Sequence, residues 1–258
     1  MTSLVAPEAR LAAHGGQAGS RVALLDGFRL TLGADAVPVS GGAERLLAFV
    51  AVRRRAVGRL FVAGSLWADA TEGHAYAALR STLLRMNRAC RDTLLVTPSS
   101  LALAPGVSVD LRDAQALAHR LLEAGPHAAA DLSVEAVTTL SSELLPFWCD
   151  DWVDFEAEDW RQLRLHALEA VVDGLVQARR FGDATAAASV VVRADPLRES
   201  AQTALIRVHL AEGNRSEAAH AFDRFSRLLH VDLGLAPTQE LRDLVGRHPR
   251  PPRGGPDR

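Results

Sequence analysis

Between His74 and Arg91 the segment HAYAALRSTLLRMNRACR carries polar side chains suited to hydrogen bonding with base edges: Arg80, Ser81, Arg85, Asn87, Arg88 and Arg91. Read as one helix, it places Tyr76, Leu79, Leu83, Met86 and Cys90 on a buried stripe. Ser81, Arg85 and Arg88, spaced by four and three, then project from one side. A helix fits the major groove of B-DNA, where arginine can donate two hydrogen bonds to guanine and asparagine can pair similarly with adenine. An amphipathic surface helix with a solvated arginine face would use the same residues. The helical pattern before this segment and the hairpin pattern after it favour the DNA reading over that one.

Other chemistries find less support. All 29 basic residues are arginine, so a Schiff-base lysine and the lysine of a phosphate-binding loop are excluded. Cys90 and Cys149 are far apart and match no disulfide framework or zinc spacing, and the nine histidines form no HExxH pair, so no metal or cofactor is expected. The acidic stretch around Trp148, Trp152 and Trp160 could suggest a carboxylate pair. Glu156, Glu158 and Asp159 are instead read as lying where a helix begins, with Trp152 and Trp160 as core anchors. No enzyme is expected. The absence of a secretory pattern or a membrane-length apolar run leads to the expectation of a cytoplasmic chain with no membrane partner.

The net charge of −2 conceals an uneven distribution. Gly41 to Asp92 holds nine arginines against four acids, whereas Asp131 to Arg180 holds eleven acids against four arginines. That separation suits a nucleic-acid-facing module followed by an acidic structural or partner-binding one.

The elements that must position these residues follow from periodicity. Residues 1–20 read as a mobile tail. Arg21 to Val39 alternates like short antiparallel strands with turns at Asp26-Gly27 and Gly33-Ala34. Three helices are expected over about Ala43–Val52, Arg59–Leu66 and His74–Arg91, then a hairpin turning at Pro98-Ser99-Ser100. Arg53-Arg54-Arg55, between the first two helices, reads as a solvated charge run, with phosphate or partner contact as the alternative. The pattern spells a winged helix-turn-helix over residues 21–108.

Residues 109–246 read as all-helical, and 247–258 as a disordered tail. Leu111 to Glu123 is a helix ended by Gly125-Pro126-His127, and Ser133 caps the next. A long helix runs to about Arg180 and breaks at Gly182. Gly182 and Gly213 open similar turns 31 residues apart, near the 34-residue period of tetratricopeptide helix pairs. After Gly213-Asn214, Ser216 starts a helix with an apolar stripe of Ala218, Ala219, Phe222, Phe225, Leu228 and Leu229. Thr238 caps a final helix after Leu233-Gly234-Leu235-Ala236-Pro237. The fold class is thus mainly α: a winged helix-turn-helix (α+β) followed by an all-α TPR-like domain.

Several of these segments resemble a known family. Glu44–Val52 (ERLLAFVAV), Arg59–Asp69 (RLFVAGSLWAD) and Ala78–Arg88 look like the three N-terminal helices of the SARP (antibiotic regulatory protein) transcriptional activators. The LGxxPxxEL end resembles the close of their bacterial transcriptional activator domain. Leu79, Arg85 and Arg88 match the third-helix pattern; Asn87 stands where arginine is usual, and Leu84 where serine is frequent. The resemblance runs from about Leu24 to Leu244. It implies an activator that binds direct repeats in double-stranded DNA near promoters of a biosynthetic gene cluster and recruits RNA polymerase through the sigma factor and other subunits. It also admits a homodimer. In the OmpR-type winged helix, the loop between the second and third helices is the usual polymerase contact, which nominates Trp67, Asp69 and Glu72. A TPR-like interaction scaffold whose winged helix does not bind DNA remains the alternative.

Overall fold

The structure, a computed structural model, describes residues 19–123, 125 and 127–247. Residues 1–18 of the tail expected over 1–20, residues 248–258 of the one expected over 247–258, and Ala124 and Pro126 lie outside the described residues. Ser20 and Arg247, assigned to those tails from sequence, belong to a strand and to a helix end. The chain forms two compact units. Of the described residues, one takes those up to Ala23 together with Phe28–Val109; the other takes Leu24–Gly27 and those from Asp110 to Arg247.

In the first unit, β1 (Ser20–Ala23), β2 (Arg29–Leu32) and β3 (Asp35–Ala36) pair antiparallel, as their alternation requires. Gly33, at φ +59°, supplies the left-handed conformation that the turn between β2 and β3 demands. Three helices follow: α1 (Gly41–Val52), α2 (Arg59–Leu66) and α3 (Glu72–Arg85), with the short α4 (Arg88–Asp92) behind them. A three-stranded sheet in the order β4-β6-β5 joins β4 (Val57–Gly58), β5 (Leu94–Val96) and β6 (Ser100–Leu103). The expected hairpin is therefore present as β5–β6.

Two features of this unit were not anticipated. Val57–Gly58 forms a strand against β6, and β7 (Ser108–Val109) leaves the hairpin to pair parallel with β1. Parallel pairing brings together Val22 and Val109, both buried, across a separation that local alternation cannot encode. Leu46, Leu47, Phe49, Val62, Leu79 and Leu101 fill the core.

The second unit is helical: α5 (Asp110–Leu122), α6 (Val134–Ser141), α7 (Asp151–Gln177), α8 (Phe181–Ala194), α9 (Glu199–Glu212), α10 (Arg215–Leu233) and α11 (Gln239–Gly246). Leu24–Gly27 is stitched into it. The Asp110 carboxylate accepts from the backbone N–H groups of Leu24 (2.8 Å), Leu25 (3.2 Å) and Leu111 (2.7 Å), at the helix end where the peptide dipoles favour a negative charge. Asp26 N–H donates to the Glu143 carbonyl at 2.7 Å.

Ser133 and Thr238 accept from Ala136 N–H and Leu241 N–H as N-caps. α10 starts at Arg215, capped by Asn214, so Ser216 lies inside it; its buried stripe is Ala218, Ala221, Phe225 and Leu229. Helix α7 begins at Asp151, earlier than expected. The acids nearest its N-terminal dipole are Asp151 and Asp154, while Glu158 lies further along and binds Arg161 and Gln162. Trp160 is buried and donates through Nε1 to Ser142 O at 2.9 Å; Trp152 is buried beside Trp148.

The repeat is real but its register differs from the sequence expectation. Gly182 does not break a helix; it sits in the first turn of α8. The left-handed residues that close the first helix of each pair are Arg179 and Gly213, 34 positions apart. The residue after each, Arg180 and Asn214, donates its N–H back to Leu175 O and His209 O. Ala184 and Ala218, Ala187 and Ala221, and Val191 and Phe225 repeat at the same spacing and are all buried. This is the TPR-like period.

The connection before α6 is tied down by charge. Arg120 donates Nη2 to Asp131 Oδ1 (2.9 Å) and Nε to Oδ2 (3.3 Å), while Arg180 Nη1 donates to Leu132 O at 3.0 Å. The Arg120 hydrogen bonds hold the Asp131 carboxyl below its ordinary value of 3.8. A carboxylate with a lowered folded pKa stabilises the fold above its unfolded pKa, and that contribution disappears as pH falls through the folded value. Asp131→Asn is therefore expected to cost about 1 kcal/mol near pH 7, the upper end for an ion pair whose arginine is exposed. The difference from the parent should close below about pH 3.8 in urea denaturation run across pH; a difference that grew on acidification would contradict the ion-pair account.

Candidate nucleic-acid interface

Helix α3 starts after Thr71, whose carbonyl accepts from Ala75 N–H at 2.8 Å, and stops at Arg85. Met86 turns to ψ 137° and Asn87 to ψ 168°, both outside helical values. Asn87 then caps α4: its Oδ1 accepts from Cys90 N–H at 2.8 Å and its Nδ2 donates to Pro38 O at 2.9 Å. Arg91 Nη2 donates to Met86 O at 2.9 Å, placing a cation where the end of α3 presents carbonyls.

The single helix expected over His74–Arg91 is thus two helices. Of the residues nominated as base-contacting, Asn87 spends both its amide atoms on Cys90 and Pro38, and Arg91 directs Nη2 to the Met86 carbonyl. Arg88 is highly exposed on α4, 3.6 Å from Asp92, and does not share a helix face with Ser81 and Arg85. The physical reason is Asn87. An asparagine side chain competes for backbone N–H groups and favours a cap over a helix interior.

The rotation of α3 also differs from the expected one. Its buried line is Ala75, Leu79 and Thr82, continued by Met86; Tyr76 and Leu83 are only half-buried, and Cys90 is buried on α4. At about 100° per residue, Gly73, Ala77 and Leu84 point almost directly away from that line. Arg80 and Ser81, both exposed, flank the outward direction by about 50° on either side, and exposed Arg85 lies at the rim, about 90° away. Glu72, in the first turn, is the only acid on the helix. The outward face can therefore offer guanidinium and hydroxyl donors without a carboxylate between them.

Other arginines of this unit fasten the frame. Arg45 Nη2 donates to Leu66 O (3.0 Å) at the end of α2. Arg59 Nη1 donates to Thr97 O (3.3 Å), and its guanidinium lies 5.6 Å from the Tyr76 ring, which links the β5–β6 tip to α3. Arg53 is folded back rather than solvated: it stacks 3.6 Å from the Phe49 ring centroid and donates to Phe49 O at 2.9 Å. Arg54 and Arg55 are exposed. Sequence reasoning missed the framing role of Arg59 and the outward placement of Leu84; the helical phase of Ala75, Leu79 and Thr82 would have revealed the latter.

Trp67, Asp69 and Glu72 lie along the α2–α3 connection and the first residue of α3. Trp67 is half-buried at the end of α2, with its N–H on Ala63 O and its carbonyl accepting from Ala70 N–H; Asp69 and Glu72 are exposed. Among the described residues, no cluster of three or more histidine, cysteine or acidic side chains could hold a metal ion, and no helix is long and apolar enough to cross a membrane.

Residues 109–247 match the family model for the bacterial transcriptional activator domain, more than half of the chain. The chain belongs to this family. The sequence resemblance to the SARP activators implies this domain, and the match bears that out. Among solved structures it is similar to Mycobacterium tuberculosis EmbR in complex with a low-affinity phosphopeptide, with a TM-score of 0.64 at 23% identity. The match covers 88% of this chain and 64% of the EmbR chain, so the chain spans under two thirds of that relative's length. The likeness supports the fold, a winged helix followed by a helical domain. No curated protein matches the chain.

Two substitutions separate framing residues from exposed ones. Asn87→Ala removes an N-cap and should lower stability by about 1 kcal/mol, within the usual 0.5–2 kcal/mol for such a loss. Arg88→Ala should change it by less than about 0.5 kcal/mol. Urea denaturation of the full chain checks both; equal effects would mean that α3 and α4 are one continuous helix. Leu79→Ala, at a site with no solvent exposure, should cost about 2–5 kcal/mol, and Leu83→Ala distinctly less. The reverse order would show the helix rotated back to its sequence-based phase.

Proposed function

We propose that the chain is a sequence-specific activator that binds double-stranded DNA through α3 and recruits RNA polymerase at promoters of a biosynthetic gene cluster. The observation that carries this reading is the outward face of α3. It carries Arg80 and Ser81, with Arg85 at its rim, on a helix of 14 residues, in a chain that shares its helical domain with transcriptional activators. A helix of this kind enters the major groove, and guanidinium groups on it can each make two hydrogen bonds to one guanine. Arg80, closer to the outward direction than Arg85, is the leading base contact. Arg88 is assigned to phosphate, where position matters more than orientation.

Trp67, Asp69 and Glu72 form the proposed polymerase contact, with the sigma factor among the subunits reached. Direct repeats in the promoter would seat two copies of the chain side by side. The scaffold reading draws on one observation: the β5–β6 tip, Thr97-Pro98-Ser99-Ser100, carries no cation to meet phosphate. Partner binding without DNA binding is what that reading requires.

Titration of the full chain against its own upstream region at two salt concentrations, paired with in vitro transcription, tests the proposal. Binding should weaken steeply with salt, since phosphate neutralisation releases counterions. Arg80→Ala should cost about 1–3 kcal/mol of specific affinity. Asp69→Ala should reduce transcription while leaving DNA affinity unchanged. A chain with no DNA affinity at low salt would favour the scaffold, and an Arg80→Ala variant that bound like the parent would refute the assignment of the face.

A further inference from the structure

The large exposed apolar side chain on α3 is Leu84. It is 76% exposed and sits on the side of the helix opposite Leu79 and Thr82. One exposed leucine on a protein surface needs no explanation. This one lies on the same line as Gly73 and Ala77, so the outward face of α3 is a stripe of hydrogen, methyl and isobutyl groups, with Arg80 on one flank and Ser81 on the other. Apart from Glu72 in its first turn the helix carries no acid, while Arg80 and Arg85 are exposed upon it, so its charge complements a polyanion.

The major groove has one apolar feature that distinguishes bases, the C5-methyl group of thymine. A polar residue at position 84 would present hydrogen-bonding groups there; leucine presents only methyls. We infer that Leu84 is a specificity-determining residue that packs against a thymine C5-methyl group, so that the preferred site places a thymine next to the base pair read by Arg80. This rests on the proposal that α3 enters the major groove, and extends it from polar contacts to an apolar one. In free solution the isobutyl group is hydrated; against the methyl, both apolar surfaces leave water together. Burial of one methyl-sized group corresponds to about fourfold in affinity.

The test uses the full chain and the tightest duplex recovered from a random-sequence pool. Each thymine is replaced in turn by deoxyuridine, which lacks only the C5-methyl. The parent should lose about fourfold in affinity at one thymine, or at one in each repeat, and be indifferent at the others. Leu84→Ala should bind the thymine duplex less tightly than the parent and should no longer distinguish thymine from uracil at that position. Because Leu84 is exposed, its truncation leaves the core intact, and unchanged urea denaturation checks this. A parent indifferent to every deoxyuridine overturns the inference while leaving the DNA-binding proposal standing. So does a Leu84→Ala variant that keeps the full thymine preference, or one that binds DNA like the parent and loses only self-association. A chain that recovers no duplex from the pool overturns both.

Discussion

The candidate interface depends on where α3 stops. Continued at the same phase through Arg91, α3 would add Arg88 and Arg91 to the outward face beside Arg80. The Asn87 side chain prevents this by accepting Cys90 N–H and donating to Pro38 O, while Arg91 meets the carbonyl of Met86. Capping interactions of this kind are each worth about 1 kcal/mol, small against the core but decisive for a helix end that would otherwise continue. With the helix ended at Arg85, what faces outward is a short run of Ala77, Arg80, Ser81 and Leu84. What remains, Arg88, belongs to a different element with a different orientation.

The chain contains arginine and no lysine, and the structure shows two uses for it. Arg45, Arg53, Arg59 and Arg91 direct donors at backbone carbonyls or lie against aromatic rings. Their planar guanidinium groups can do both at once. Arg80 and Arg85 project from α3 into solvent. Counting arginines along the sequence therefore overstates the cationic surface: much of the apparent basic excess between Gly41 and Asp92 holds the unit together. In the helical unit Arg161 binds Asp195 and Arg198 binds Glu169, tying α7 to the α8–α9 connection.

Local signals in the sequence were good guides where a single residue decides the outcome. The bounds of α2, the β5–β6 turn, and the caps Ser133 and Thr238 all follow from residue type and spacing. What could not be read depends on distant partners or on conformations that residue type does not announce. The parallel pairing of β7 with β1 joins Val22 to Val109, and β4 exists only because β6 lies beside it. Arg179 takes a left-handed conformation usually reserved for glycine, so Gly182 was mistaken for the turn residue and the repeat for 31 residues. On α3, the sequence spacing points to Leu79 but also to Tyr76 and Leu83, while the burial belongs to Ala75 and Thr82. A threonine on the core line and a leucine in solvent invert the usual expectation, so residue type alone points to the wrong phase.

The central claim is that α3 reads DNA from the major groove, and methylation interference tests it most directly. Dimethyl sulfate methylates guanine at N7 in the major groove and adenine at N3 in the minor groove. With the full chain bound to a duplex from its upstream region, methylated guanines should be excluded from the complex at discrete positions, and Arg80→Ala should relieve that exclusion at one of them. Exclusion confined to adenines, or absent at every guanine, would contradict the account.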